Sequence, residues 1–292
     1  MKRGDIAMWI LYAFGSSFFA GITAILAKIG IRNVDSSLAT ALRTIIVLLF
    51  SWLMVFITGG INSFNHITVE TLLFLVLSGF ATGASWLCYF KALQLGDVNK
   101  VTPIDKSSTI LTMILAIIFF HETLSFLKVI CMSMIGIGTY FMIEKKKNNH
   151  ESIDNKWMFY AFGSAIFASL TSILGKIGIH DIDSTLGTAI RTIVVLIMAW
   201  IVVFMQNKQK DIPHIDQKSW IFLILSGMTT GLSWLCYYRA LQDGLASVVV
   251  PIDKLSVVIT VAFSYFILKE KLSYKSFMGL ILIVIGTLLL LI

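Results

Sequence analysis

Ser85-Trp86-Leu87-Cys88-Tyr89 returns unchanged as Ser233-Trp234-Leu235-Cys236-Tyr237, a shift of 148 residues along the chain. The same shift lays the sequence on itself without a gap, from Trp9 on Trp157 to Thr139 on Thr287. Roughly two in five positions are identical, more than shared apolar composition produces. Tyr12 to Ser16 falls on Tyr160 to Ser164, and Lys28 to Ile31 on Lys176 to Ile179. The chain is therefore a tandem duplication, divided into a first copy (1–144), a basic linker (145–156) and a second copy (157–292). Each copy holds five apolar segments of about 20 residues, enough to cross roughly 30 Å of hydrocarbon as a helix. In the first copy they run near Ile6 to Ile31, Ser37 to Ile57, Val69 to Leu95, Val101 to Phe120 and Leu124 to Ile143. The second set begins near Trp157, Ser184, Lys218, Ser247 and Leu272. Continuous apolar runs of this length exclude a barrel of alternating strands.

Composition agrees. Of 292 residues 57% are apolar and 13% charged, with a mean hydropathy of +0.87, against about 45–50% apolar and about 25% charged in soluble domains. The formal charge of +7 sits in short lysine clusters between apolar runs, where it reads as cytoplasmic loops facing anionic lipid. No basic stripe for nucleic acid is present. Cys88, Cys131 and Cys236 lie inside apolar segments without metal or redox spacing and read as packed, reduced thiols. Met1, Lys2, Arg3 and the apolar stretch after them imitate a secretory signal. The stretch is too long for one, lacks a small-residue cleavage site and reappears at the start of the second copy.

An odd number of crossings per copy forces directly joined copies to insert in opposite senses, giving ten transmembrane helices in two inverted-topology repeats. The lysines test this. Lys208, Lys210 and Lys218 replace Gly60, Asn62 and Glu70, and Lys269, Lys271 and Lys275 replace His121, Thr123 and Leu127. These loops are basic only in the second copy, on the same side as Lys145, Lys146, Lys147 and Lys156 of the linker. The charge pattern thus predicts a cytoplasmic linker and both termini outside, with Lys2 and Arg3 pulling the other way.

Pro103 and Pro251 hold equivalent places inside Pro-Ile-Asp-Lys, at the starts of the fourth segments. Paired interruptions in two halves point to a cavity region; a proline in a first helical turn is the alternative. Asp105, Ser108 and Thr112 share one helical face, repeated by Asp253, Ser256 and Thr260. A polar stripe with an aspartate predicts a cavity lining, although hydroxyls alone can bond their own backbone. On the third helices Thr82, Ser85, Trp86 and Tyr89, matched by Thr230, Ser233, Trp234 and Tyr237, offer hydroxyls and rings suited to a cation or a flat organic group. Trp9 and Trp157, near helix starts, suit an interfacial aromatic belt. Gly79 with Gly83, and Gly227 with Gly231, are spaced for close helix approach.

Lys28, whose repeat mate is Lys176, lies near its helix end and is expected to snorkel. Arg43 and Arg191, deeper in their helices, are expected to pair with an acid or with helix-end carbonyls, or to serve the site as charge partners. Glu122 and Glu270 end the fourth helices as solvated or structural groups. His66, His121, His150, His180 and His214 make no ligand spacing, and no nucleophile elbow or phosphate-cradling loop is present. No metal, cofactor or enzymatic activity is expected.

The order of elements in both copies resembles the EamA domains of the drug/metabolite transporter superfamily. It comprises the early arginine of the second helix (Arg43, Arg191), Ala-Leu-Gln closing the third (Ala92 to Gln94, Ala240 to Gln242) and the proline-led fourth. Glu-x-Leu-Ser follows (Glu122 to Ser125, Glu270 to Ser273), then Ile-Gly-Thr in the fifth (Ile137 to Thr139, Ile285 to Thr287). The resemblance implies a ten-helix secondary transporter of the cell membrane, with a central cavity lined by the first, third and fourth helices of both halves. It also implies cytoplasmic termini, opposite to the charge argument. The membrane-embedded glutamate of the related small multidrug resistance proteins is missing from the first helix. The expected cargo is a small polar organic metabolite, an amine or amino acid, moved by alternating access. Movement of a lipid-linked headgroup and a non-transporting receptor or assembly subunit are the alternatives. Expected partners are the substrate and membrane lipid, without nucleic acid, and a monomer is plausible.

Overall fold

Hydrocarbon offers nothing to a bare amide, so apolar runs of this length close their hydrogen bonds internally as helices. The computed structural model describes residues 3–31, 33–95, 104, 107–142, 156–268 and 273–292, and every regular element among them is helical. The first copy contributes α1 (Arg3–Gly30), α2 (Ser36–Thr58), α3 (Val69–Leu95), α4 (Ser108–Phe120) and α5 (Phe126–Met142). The second contributes α6 (Lys156–Gly178), α7 (Ser184–Met205), α8 (Gln217–Asp243), α9 (Ala246–Lys254), α10 (Ser256–Leu268) and α11 (Tyr274–Leu289). Among the described residues seven helical stretches are long and apolar enough to cross a membrane, α9 and α10 counting as one; α4, α5 and α11 are shorter apolar helices.

Local chemistry explains several boundaries. Asp35 accepts from the amides of Ser37 and Leu38 at 2.9 and 3.2 Å and starts α2. Its repeat mate Asp183 accepts from Thr185 and Leu186 at 2.9 and 3.3 Å and starts α7. Gly59 and Asn207, also repeat mates, adopt φ of 74° and 56° just past α2 and α7, a conformation that glycine and asparagine tolerate best. Removing the cap with Asp183→Ala should lower stability by about 1 kcal/mol, and Asp35→Ala by a similar amount. Thermal unfolding in detergent reads this, and an unchanged midpoint in both variants would refute the capping account.

Packing is reciprocal between the copies. α1 lies on α8 and its counterpart α6 on α3, while α2 meets α7 and α5 meets α11. Ser16 sits by Ser233 and Thr23 by Thr229, so α1 and α8 run antiparallel. Ser85 with Ser164, and Thr82 with Thr171, give the same sense for α3 and α6. The corresponding helices α2 and α7 are also antiparallel: Thr58 meets Thr185, while Leu38 and Leu42 share a cluster with Ala199 and Val203.

The paired glycines permit two further approaches, of α3 to α7 and of α8 to α2. A Cβ on Gly79 would stand 2.6 Å from Val194 Cβ and 3.0 Å from the Arg191 carbonyl, and one on Gly83 2.5 Å from Met198 Cβ. Gly227 and Gly231 do the same for Ile46 and Phe50 of α2. Close approach of α7 to α3 is what brings Arg191 against the polar face of α3.

Two expectations change. Pro251 lies well inside α9 rather than in its first turn. The helix breaks four residues later at Leu255, whose amide reaches back to Ile252 at 3.0 Å in a tightened turn. Pro103 lies outside the described residues. Trp9 and Trp157 are buried rather than belted in lipid. Trp9 covers Gly244 at the α8–α9 turn, and Trp157 packs on Ala92 and Ala161. The side chain of Lys28 lies outside the described ones; its repeat mate Lys176 donates through Nζ to the Leu241 carbonyl at 2.6 Å and to that of Gly244, closing the C-terminal end of α8. Among the described residues the three cysteines are free thiols.

Candidate functional site

A cavity of about 300 Å³ lies between the copies, walled by α1, α3, α6, α7, α8 and α9. Of the residues singled out from sequence it gathers Thr82, Ser85 and Trp86 of α3, Ser233, Trp234 and Tyr237 of α8, Asp253 of α9, and Arg191 of α7. A larger groove of about 620 Å³ between α4 and α5 is lined almost wholly by aliphatic side chains. It lacks ionisable groups, so the smaller cavity is the candidate site.

The remaining predicted residues lie elsewhere. Tyr89 packs with Ala92, Trp157 and Ala161. Thr230 donates to the Ser226 carbonyl at 2.7 Å and accepts from Arg43 at 2.8 Å. Thr112 and Thr260 donate to the carbonyls of Ser108 and Ser256 at 2.8 and 2.9 Å. Those hydroxyls satisfy themselves along their own helices, the behaviour that lets threonine sit in an apolar segment. Asp105 lies outside the described residues.

The two faces of the cavity differ. Asp253 Oδ1 accepts from Ser16 Oγ at 2.5 Å, and Ser233 Oγ donates to the Ser16 carbonyl at 3.1 Å, joining α9, α1 and α8. The Tyr237 hydroxyl pairs with Ser172 Oγ at 2.8 Å. Opposite, Arg191 is 1% exposed. Its Nε donates to Ser78 Oγ at 3.3 Å and one terminal nitrogen to Thr82 Oγ1 at 2.8 Å. The guanidinium carbon lies 4.4 Å from the Tyr238 ring centre and 5.1 Å from that of Trp234. Neither the acidic partner nor the helix-end carbonyls expected for the arginines are found among the described residues. Hydroxyls and two ring faces hold Arg191 instead, and the Thr230 hydroxyl holds Arg43, whose Nε is buried without a hydrogen-bond partner among the described residues.

Sequence reasoning missed Tyr238, Thr171, Ser172 and Lys254 as lining residues. Lys254 stood in the quoted Pro-Ile-Asp-Lys run and Tyr238 beside Tyr237, so the signal lay in adjacency. Thr171 and Ser172 carry no pattern of their own and enter only because α6 packs on α3.

This geometry, a polar cavity shared by two helical copies, agrees with the similarity to known proteins. The profile of the EamA-like transporter family matches residues 7–144 and again 155–292. The chain belongs to this family. An uncharacterised transporter of Sinorhizobium sp., in the cobO 3′ region, is 41% identical over 138 residues, 47% of this chain and 98% of that protein. That relative is thus about the size of one copy. An uncharacterised protein of Methanocaldococcus jannaschii is 41% identical over 83 residues, 28% of this chain and 61% of that one. A crystal structure aligns over 97% of this chain and 96% of its own, with a TM-score of 0.77 at 14% identity, a likeness of fold alone. The EamA-like chain is accordingly a multi-pass membrane protein of a transporter family.

Proposed function

We propose that this EamA-like protein is a secondary transporter of the cell membrane, carrying a small polar organic metabolite of amine or amino acid type by alternating access. The copies 1–144 and 157–292 form two five-helix repeats of opposite insertion, ten spans in all, joined by a basic linker. The observation that carries the reading is the cavity between the copies, where a carboxylate (Asp253), two indoles (Trp86, Trp234) and several hydroxyls converge on space for a small solute. Antiparallel packing of the corresponding helices α2 and α7 supports opposite insertion, and a relative the length of one copy supports each copy as a unit. In this reading the copies rock about the cavity and expose it to each side in turn.

Counterflow of radiolabelled metabolites in liposomes, guided by a thermal-shift screen of the purified protein, tests the proposal. Asp253→Asn and Trp86→Ala should fold yet lose about tenfold or more in affinity for the transported compound, as expected when a charged or stacked contact is removed from a buried site. Wild-type exchange by both variants would place the site elsewhere.

The apolar groove beside α4 and α5, lined by Ile110, Ile114, Ile118, Val129 and Ile137, favours a second reading. There a lipid tail lies in the groove while its headgroup crosses. That reading predicts scrambling of labelled lipid between leaflets and no counterflow of water-soluble tracers.

A further inference from the structure

We infer that Arg191 and Lys254 form an anion anchor in the cavity, so that the transported molecule carries an anionic oxygen group; this narrows the cargo proposed above and rests on that reading. Arg191 is fully buried, yet among the described residues no carboxylate comes within 4 Å of it. A lone cation in an apolar interior is costly, and intramembrane arginines without a fixed partner mark solute pathways. The guanidinium carbon lies over the rings of Trp234 and Tyr238, and Ser78 and Thr82 engage two of its nitrogens. A guanidinium carries five donors in one plane, and among the described residues those two bonds leave donors for a further oxygen.

Comparison with the repeat mate separates packing from binding. Arg43 bonds Thr230 just as Arg191 bonds Thr82, so holding the second helix to the third is a role both share. Only Arg191 also lines the cavity. The wall around it is enriched on the second-copy side, where Ser172 and Tyr238 stand at the positions of Ala24 and Phe90. Lys254, half-buried at the end of α9, lines the same space and likewise has no carboxylate within 4 Å among the described residues. The carboxylate in the lining, Asp253, is turned to Ser16. Among the described residues two cations therefore line the cavity against one carboxylate, a positive charge in excess. A plain amine meets repulsion there; a carboxylate or phosphate oxygen completes the set.

The purified full-length protein, in detergent for thermal shift and in liposomes for counterflow, decides the matter with four sets of probes. These are the common amino acids, the amines left by their decarboxylation, the deaminated carboxylic acids, and the phosphate monoesters phosphoserine and glycerol phosphate. Binding and exchange should be confined to anionic compounds, with the carboxylate and phosphate sets showing which oxygen group is used. Affinity for the best of them should fall about tenfold in Lys254→Gln, and by at least that in Arg191→Lys, which keeps the charge but loses the fork. Lys254 is only half-buried, so its variant carries the test even if the arginine variant folds poorly. Amines exchanged as well as their parent amino acids, or an anion whose affinity survives Lys254→Gln unchanged, would overturn the anchor and leave the transport reading standing. No binding or exchange in any set would overturn both.

Discussion

Gly279→Leu should leave little folded protein in detergent. Gly138 of α5 and Gly279 of α11 bring two backbones into contact: a Cβ on Gly279 would stand 2.5 Å from the Gly138 carbonyl oxygen and 2.8 Å from the Met142 amide nitrogen. Backbone atoms cannot rotate aside as a side chain can, so the helices must separate. The two pack chiefly against each other, and in lipid such a pair is held by close van der Waals fit rather than by any hydrophobic gain. The expected loss is about 3 kcal/mol or more, at or above the upper end for overpacking. It would appear as a large drop in unfolding midpoint and loss of the folded peak on size exclusion. Gly279→Ala, with the smallest possible Cβ, should lose less but still measurably. A leucine variant with the wild-type midpoint would mean that α5 and α11 do not touch in the membrane.

The second large effect is expected from Glu122→Ala. Leu245, the residue before α9, has no side chain able to cap it. Glu122, reaching across from the end of α4, does so instead. Its two oxygens accept from the amides of Ala246 and Ser247 at 2.8 and 3.2 Å, and from the Ser247 hydroxyl. Lys128 lies 3.9 Å away and donates to Ser247 Oγ at 3.1 Å, with 12% of its side chain exposed against 2% for the glutamate. Truncation would strand two helix-end amides and a shielded ammonium together, a loss of about 3–5 kcal/mol by analogy with one-sided breakage of buried pairs. Glu122→Gln should do only partly better, since its amide group presents donors where donors already stand. Hydrogen exchange localises the effect: protection should fall first at Ala246 and Ser247. Stability and exchange in Glu122→Ala indistinguishable from wild type would show that α9 needs no cap from the first copy.

Glu122 also shows where reading residues in order stops. As the acid of Glu-x-Leu-Ser it was visible, but the amides it caps come more than a hundred residues later, and nothing in its neighbours announces them. Lys176 is a similar case: a lysine near a helix end normally reaches for water, and here it meets the last carbonyls of α8. Trp86, Trp234 and Asp253 were legible as lining because rings and a carboxylate deep in apolar runs need a polar neighbour. The stripe Ser108–Thr112 and Ser256–Thr260 misled because a hydroxyl bonded to its own helix looks, in sequence, like one that faces a cavity.

What the amino-acid order determined by itself is the run of apolar helical segments and their duplication. Both are local or periodic properties, fixed by runs of apolar side chains, by capping residues such as Asp35 and Asp183, and by a 148-residue register that needs no partner to be seen. The tertiary structure alone decided which way each helix turns its polar face, that Arg191 lies between α3 and α8, and that Lys254 enters the cavity. Rotation of a helix about its axis changes nothing in its own hydrogen bonds. It is set by contacts such as Gly79 on Val194, made between residues far apart in the chain.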